Sequence, residues 1–293
     1  MKRVVVAGAT GYLGRHIVKE LKSRGYYVRA LARSKGKLID LADSIDDIYE
    51  GEVTRPETLT GLCTGMDAVI STLGITRQKD GLTYQDVDYK GNLAILNLAR
   101  ISGARKFVYV SVMNAEKMKQ LEIIKAKEAF VEKLRSSKMD YCVIRPTGFY
   151  SDMLEFLTMA GKGRVSLFGS GENRMNPIHG ADLAEVCADA LETKQREINV
   201  GGPEVFSYAE IGELAFETLN KKPKLSRMPV GMVKLFLGLL RFFTGSKTYG
   251  PVEFFATVMT MDTIGERYGT RRLADTFAES VTQSGRAASP VGG

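Results

Sequence analysis

Residues 4 to 14 read Val4-Val5-Val6-Ala7-Gly8-Ala9-Thr10-Gly11-Tyr12-Leu13-Gly14, and this stretch decides the fold. Four apolar residues in a row that stop at glycine predict a short strand buried on both faces, as in a parallel sheet. Leu13, Ile17, Val18 and Leu21 then recur at helical spacing, and Gly25 closes the helix. Between strand and helix lie glycines 8, 11 and 14. A turn this tight calls for a residue without Cβ where φ is positive. The second glycine lets backbone amides approach a diphosphate closely, and the third lets helix pack on strand. A diphosphate would then sit at the positive end of the helix. The spacing alone is a weak signal; its place after the first strand of a strand and helix series makes it a strong one.

That series continues outward. Strand patterns at 27–31, 48–49, 68–73, 107–112 and 141–144 alternate with helical patterns at 89–102 and 124–136. Such alternation implies right-handed crossovers and an α/β fold, a Rossmann-type doubly wound parallel sheet. After Arg145 and Pro146 the texture changes. Helices are expected at 153–161, 181–193 and 208–219, the last opened by a capping box of Ser207 and Glu210. The expected division is a dinucleotide-binding domain at 1–150 and a smaller substrate-covering lobe at 151–281, partly interleaved with the sheet. Residues 282–293, small and polar, read as a disordered tail.

The chain has 293 residues, of which 44% are hydrophobic, enough for a large core. Its net charge is 41 − 34 = +7, which suits an anionic ligand. Three scattered cysteines and two histidines argue against a disulfide scaffold or a metal site, and favour a reducing, cytoplasmic setting. The first apolar run is too short for a secretory signal. The segment 228–243 is too short to span a bilayer and reads as an amphipathic helix, packed on the body or docked on a membrane surface or protein partner. No nucleic-acid recognition pattern appears, and the positive charge is dispersed.

The second strand supplies the sharpest reading of that charge. A carboxylate near its end would accept hydrogen bonds from the adenosine ribose of NAD, whereas arginine accommodates a 2′-phosphate. No carboxylate lies between Glu20 and Asp40, while Arg33, Ser34 and Lys35 offer donors. NADP(H) is therefore the expected cofactor.

The glycine loop, the strand 107–111, the segment 126–150 (AKEAFVEKLRSSKMDYCVIRPTGFY), the segment 168–186 (FGSGENRMNPIHGADLAEV) and the segment 199–211 (NVGGPEVFSYAEI) together resemble an atypical short-chain dehydrogenase/reductase. The resemblance covers residues 1 to 223, and within that superfamily the chain is similar to the NmrA-like and isoflavone-reductase-like branch, with divinyl chlorophyllide 8-vinyl reductases in particular. It implies an NAD(P)-binding Rossmann domain and a small lobe closing over a small-molecule substrate. Typical members place a tyrosine four residues before a lysine; here Ile123 precedes Lys127, and Leu121 precedes Lys125. In the isoflavone-reductase-like branch a lysine without that tyrosine goes with reduction of double bonds. The resemblance thus implies a reductase of a small or medium apolar substrate, with Lys127 hydrogen-bonding the nicotinamide ribose, donating a proton, or both, and Ser111 at the family's serine position. The alternative is a non-catalytic NADP(H)-sensing regulatory or assembly protein.

By the same resemblance the cofactor is met by Gly8, Thr10, Gly11, Tyr12, Leu13 and Gly14, by Arg33, Ser34 and Lys35, by Thr72 and Leu73, by Lys127, and by Pro146, Thr147, Gly148 and Phe149. Tyr150, Met153 and Phe156 are candidates for a substrate pocket, with core packing as the competing reading. Asn92 is expected to pack behind the cofactor or touch it, and His179 to bridge the two lobes.

Overall fold

The computed structural model describes residues 2–75, 81–233, 237–238 and 246–288. Its core is an eight-stranded sheet. The strands in chain order are β1 (Arg3–Ala7), β2 (Tyr27–Ala32), β3 (Asp47–Glu50), β4 (Ala68–Ser71), β5 (Lys106–Val110), β6 (Asp140–Pro146), β7 (Val165–Phe168), β8 (Arg174–Met175), β9 (Glu197–Gly201), β10 (Phe206–Ser207), β11 (Leu225–Met228) and β12 (Glu266–Arg267). The large sheet runs β12-β9-β6-β5-β4-β1-β2-β3, with every neighbouring pair parallel. The doubly wound α/β fold expected from the alternation is therefore the observed one. Strand order reverses between β1 and β4, and such a switch point opens a crevice at the carboxyl ends of the strands.

The helices are α1 (Tyr12–Ser23), α2 (Asn92–Ile101), α3 (Glu122–Ser136), α4 (Tyr150–Gly161), α5 (Gly180–Asp189) and α6 (Tyr208–Thr218), followed by Ser246–Met259 and the closing helix Leu273–Ala288. One face of the sheet buries Val4, Val6, Val108 and Ile144 with Ile17 and Leu21 of α1 and Leu183 of α5. The other buries Val5, Val69, Phe107 and Tyr109 with Ile95 of α2 and Phe130 of α3. The period of two along each strand sends alternate residues to opposite faces, so a fully apolar strand needs helices on both.

Beyond residue 150, α4, α6 and the closing helix share a separate core of Phe156, Tyr208, Phe216 and Phe277. The capping box of α6 forms as expected, Glu210 N donating to Ser207 Oγ and Ser207 N to the Glu210 carboxylate. Strands β9 and β12 join the large sheet, and α5 packs on α1. The closing helix runs on to Ala288, so 282–288 are helical rather than disordered, and 289–293 lie outside the described residues. Of the segment 228–243, residues 234–236 and 239–243 also lie outside them. Among the described residues no helix is long and apolar enough to cross a membrane.

Candidate functional site

The loops that follow β1, β2, β3 and β4 surround a cavity of about 310 Å³. Gly8, Thr10 and Gly11 come from the first loop, Leu31 to Arg33 from the second, Gly51 to Thr54 from the third and Thr72 to Ile75 from the fourth. Close approach explains the glycines. Gly8 has φ 86°, and a Cβ on it would lie 2.5 Å from Thr72 Oγ1. A Cβ on Gly14 would overlap the Gly8 carbonyl oxygen, so only glycine lets α1 start this near β1. Helix α1 carries no acidic residue in its first turn and no side-chain cap, so nothing on it opposes an anion at its positive end, where the preceding Gly11 lines the cavity. The chemistry of this loop is compatible with a dinucleotide diphosphate.

At the outer end, Arg33 lines the cavity, but Lys35 does not and Lys37 does. The reason is local. Residues Lys35–Ser44 form a 3₁₀ turn in which Lys37 N donates to Ser34 O at 3.2 Å. The turn folds the chain back so that Lys37 comes to the cavity, while Ser34 and Lys35, both expected there, do not line it. Glu52 also lines the cavity, its carboxylate accepting from Thr54 Oγ1 at 3.2 Å and pairing with Arg55 at 3.3 Å. Neither Lys37 nor Glu52 was legible from the second strand alone. The rule that loops after parallel strands line the crevice points to both, once β3 is taken as seriously as β2.

The inner end is built differently. Gly74, at the cavity edge, backs onto two buried charges: a Cβ there would lie 2.7 Å from both Lys127 Nζ and Asp88 Oδ1. Lys127 pairs with Asp88 at 3.0 Å, and the Asp88 side chain is 0% exposed. Tyr109 presents its ring 5.6 Å from the same ammonium. Burial opposes the charge on Lys127, but Tyr109 and Asp88 outweigh it and hold the ammonium above the ordinary lysine range. Burial pushes the Tyr109 hydroxyl up to about 12.

Ser111 is occupied elsewhere. Its Oγ donates to Glu128 Oε1 at 2.9 Å and accepts from Arg145, which grips Glu128 through both terminal nitrogens and Glu197 through Nε at 2.8 Å. Asn92 is fully buried, its Oδ1 accepting from Ser71 Oγ at 2.5 Å and its Nδ2 donating to Asp88 O at 2.9 Å, so it braces β4 against the turn before α2.

Several candidates lie away from the cavity. Leu13 is core on the α1 side, and the Tyr12 hydroxyl accepts from Gly180 N at 3.0 Å, tying the glycine loop to α5. Thr147 Oγ1 donates to Asn176 O at 2.6 Å, Pro146 O accepts from Met113 N, Gly148 O accepts from Ile178 N, and Phe149 packs on Tyr12. Tyr150 is buried with its hydroxyl on Arg271 O at 2.7 Å, and Met153 and Phe156 are core beside it. None of these three reaches the described cavity, because α4 turns its apolar face to α6 rather than to the sheet's carboxyl edge. His179 caps α5, accepting from Ala181 N at 3.1 Å.

Fold and cavity together define a dinucleotide-binding protein of the Rossmann class. The chain belongs to the NAD(P)H-binding family, whose pattern matches residues 8–194. It is similar to the photosystem II assembly factor Ycf39 of Trieres chinensis, 27% identical over 263 residues, covering 88% of this chain and 82% of that one. It is also similar to the chloroplastic divinyl chlorophyllide a 8-vinyl-reductase of Zea mays, 31% identical over 269 residues, 80% of this chain and 67% of that one. Among solved structures, an NADPH-dependent quinone oxidoreductase from Escherichia coli complexed with NADPH superposes with a TM-score of 0.67 at 15% identity, over 96% of this chain and 99% of that one, a likeness of fold.

Proposed function

We propose that this chain is an NADP(H)-dependent oxidoreductase of the atypical short-chain dehydrogenase/reductase type, acting without the usual tyrosine on a small or medium apolar substrate. The observation that carries this reading is the placement of Lys127 Nζ directly behind Gly74, at the inner edge of a cavity whose outer edge holds Arg33 and Lys37. Arg33 and Lys37 meet the adenosine 2′-phosphate, and the open amides of α1 meet the diphosphate. When bound, the nicotinamide supplies a hydride. Lys127, kept charged by Asp88, is a better donor of hydrogen bonds than of protons: it holds a ribose hydroxyl and stabilises negative charge developing nearby. Water then completes the reduction, consistent with Ile123 where a proton-passing tyrosine would stand. A conjugated or vinyl-bearing substrate fits this chemistry, and similarity to the maize vinyl reductase supports it. Three buried free cysteines agree with a reducing, cytoplasmic setting.

A second reading is favoured by one observation. Ser111 is tied to Glu128 and Arg145, so neither the serine nor a tyrosine is available to substrate, as suits an assembly factor that holds NADP(H) without turnover. Titration with NADPH and NADH, followed by incubation of 4-deuterated NADPH with conjugated and vinyl-bearing compounds, separates the readings. Deuterium in a product establishes the reductase. Tight NADPH binding with no transfer favours the second reading, and tighter NADH binding overturns the cofactor assignment.

A further inference from the structure

We propose that Asp88 is the positioning residue for Lys127, fixing the ammonium against Gly74 at the inner edge of the cavity. The inference rests on the reading above, in which Lys127 serves the cofactor, and adds a residue that neither the motifs nor the resemblance singled out.

Asp88 sits in the middle of a π-helical turn, Gln85–Gly91, that leads into α2. Such wide turns are rare and cluster at functional sites, because they swing one side chain out of helical register. Here the displaced carboxylate reaches two targets at once. Oδ2 accepts from Ile75 N at 3.1 Å, which pins the loop following β4. Oδ1 lies 3.0 Å from Lys127 Nζ and, apart from that ion pair, makes no hydrogen bond among the described residues. One carboxylate therefore sets both the cavity wall at Gly74 and Ile75 and the lysine behind it. Gly74 completes the device, since any side chain there would collide with both charges.

Stability alone is a poor reason for this pair. Desolvating two charges costs about as much as their attraction returns, and a matched apolar pair packs as well or better. What the pair provides is a fixed, permanently charged donor at one point. The groups that face it are Asp88 from the π turn and Tyr109 from β5; Glu128, the next residue on α3, is turned to Arg145 and Ser111. Asp88 is the carboxylate paired with Lys127, and although burial pushes its own carboxyl up, the ion pair and Tyr109 together hold the ammonium in place.

Competitive acetylation with acetic anhydride at about pH 9 and 10, read by mass spectrometry as the labelling rate of the Lys127 peptide in the full chain, tests the proposal. Asp88→Asn is expected to raise that rate about tenfold, because a lower ammonium pKa frees more amine at fixed pH, and to weaken NADPH binding about tenfold. Asp88→Glu, which keeps the carboxylate, is expected to return the rate toward wild type, an outcome that general loosening of the fold would not produce. An unchanged rate in Asp88→Asn, or a rate as high in Asp88→Glu as in Asp88→Asn, overturns the assignment. Failure of the wild-type chain to bind NADPH would sink the functional reading, while the labelling rates would still report whether Asp88 governs Lys127.

Discussion

The two ends of one cavity are built on opposite principles. At the outer end, Arg33 and Lys37 are exposed and Glu52 is half-buried, all on loops after β2 and β3. At the inner end, Asp88 is sealed off completely and Lys127 nearly so, each with its partner already in place. Exposed charges on loops recognise an anion through long side chains that order on binding, and salt weakens them. A buried, prepaid pair does little for affinity in isolation but holds one donor at a fixed point. On the proposed reading, cofactor choice is decided at the rim and chemistry at the floor.

Breaking the floor should have the largest effect. Lys127→Met leaves the Asp88 carboxylate buried without its cation, and loss of one partner of such a pair costs about 3–5 kcal/mol. Urea denaturation at pH 7 measures it; a cost under about 1 kcal/mol would mean that the pair is not preformed in solution. Next, Gly8→Ala forces an L side chain into φ 86° against Thr72, for about 1–2 kcal/mol of stability. NADPH titration of the folded variant should show a loss of affinity of at least tenfold, because the loop that presents the α1 amides must shift.

Changes at the rim should be smaller and selective. Arg33→Ala removes a charge-assisted contact to the 2′-phosphate and is expected to weaken NADPH about tenfold, about 1.4 kcal/mol, while leaving NADH within twofold. Equal losses for both cofactors would erase the proposed division between rim and floor. The same comparison in 50 and 500 mM salt should show NADPH affinity at Arg33 falling with salt and the Lys127 pairing indifferent to it.

The smallest expected effect lies where α1 meets the start of α5. His16 is lowered from 6.5 to about 4, first by burial and then by His179 and Lys19. Above pH 6.5 the ring is neutral folded or unfolded. Between 6.5 and about 4 only the unfolded chain takes up the proton, so stability falls as pH drops through that window and levels off below it. Partial solvent access limits the effect to about 1 kcal/mol. His16→Gln should flatten that part of a melting-temperature profile; an unchanged slope would place its origin elsewhere.

Much of the frame was legible along the chain. Val4 to Gly14, the strand and helix alternation, and the Ser207 and Glu210 cap are local patterns, and each forms as read. The harder parts depend on packing. A continuous helix from residue 89 was the natural reading of an apolar period, yet the backbone makes a π turn first, because Asp88 is pulled inward by Lys127 and Ile75 N. Lys35 and Lys37 are equivalent in composition, and only the 3₁₀ turn separates them. Tyr150, Met153 and Phe156 have the spacing of a pocket wall and of a core alike, and the neighbouring α6 and closing helix make them core. The short strands β9 and β12 carry no strong strand signal and gain their register from the sheet edge they extend.

By itself, then, the sequence determined the parallel α/β architecture, the diphosphate turn and the basic character of the second strand's end, because these follow from periodicity and from residues adjacent in the chain. Only the tertiary structure decided that Lys37 rather than Lys35 faces the cavity, that Ser111 is committed to Glu128 and Arg145, and that Asp88 holds Lys127. The last two depend on groups brought together from 17 and 39 residues apart, and burial turns such meetings into strong electrostatic constraints that no local pattern encodes.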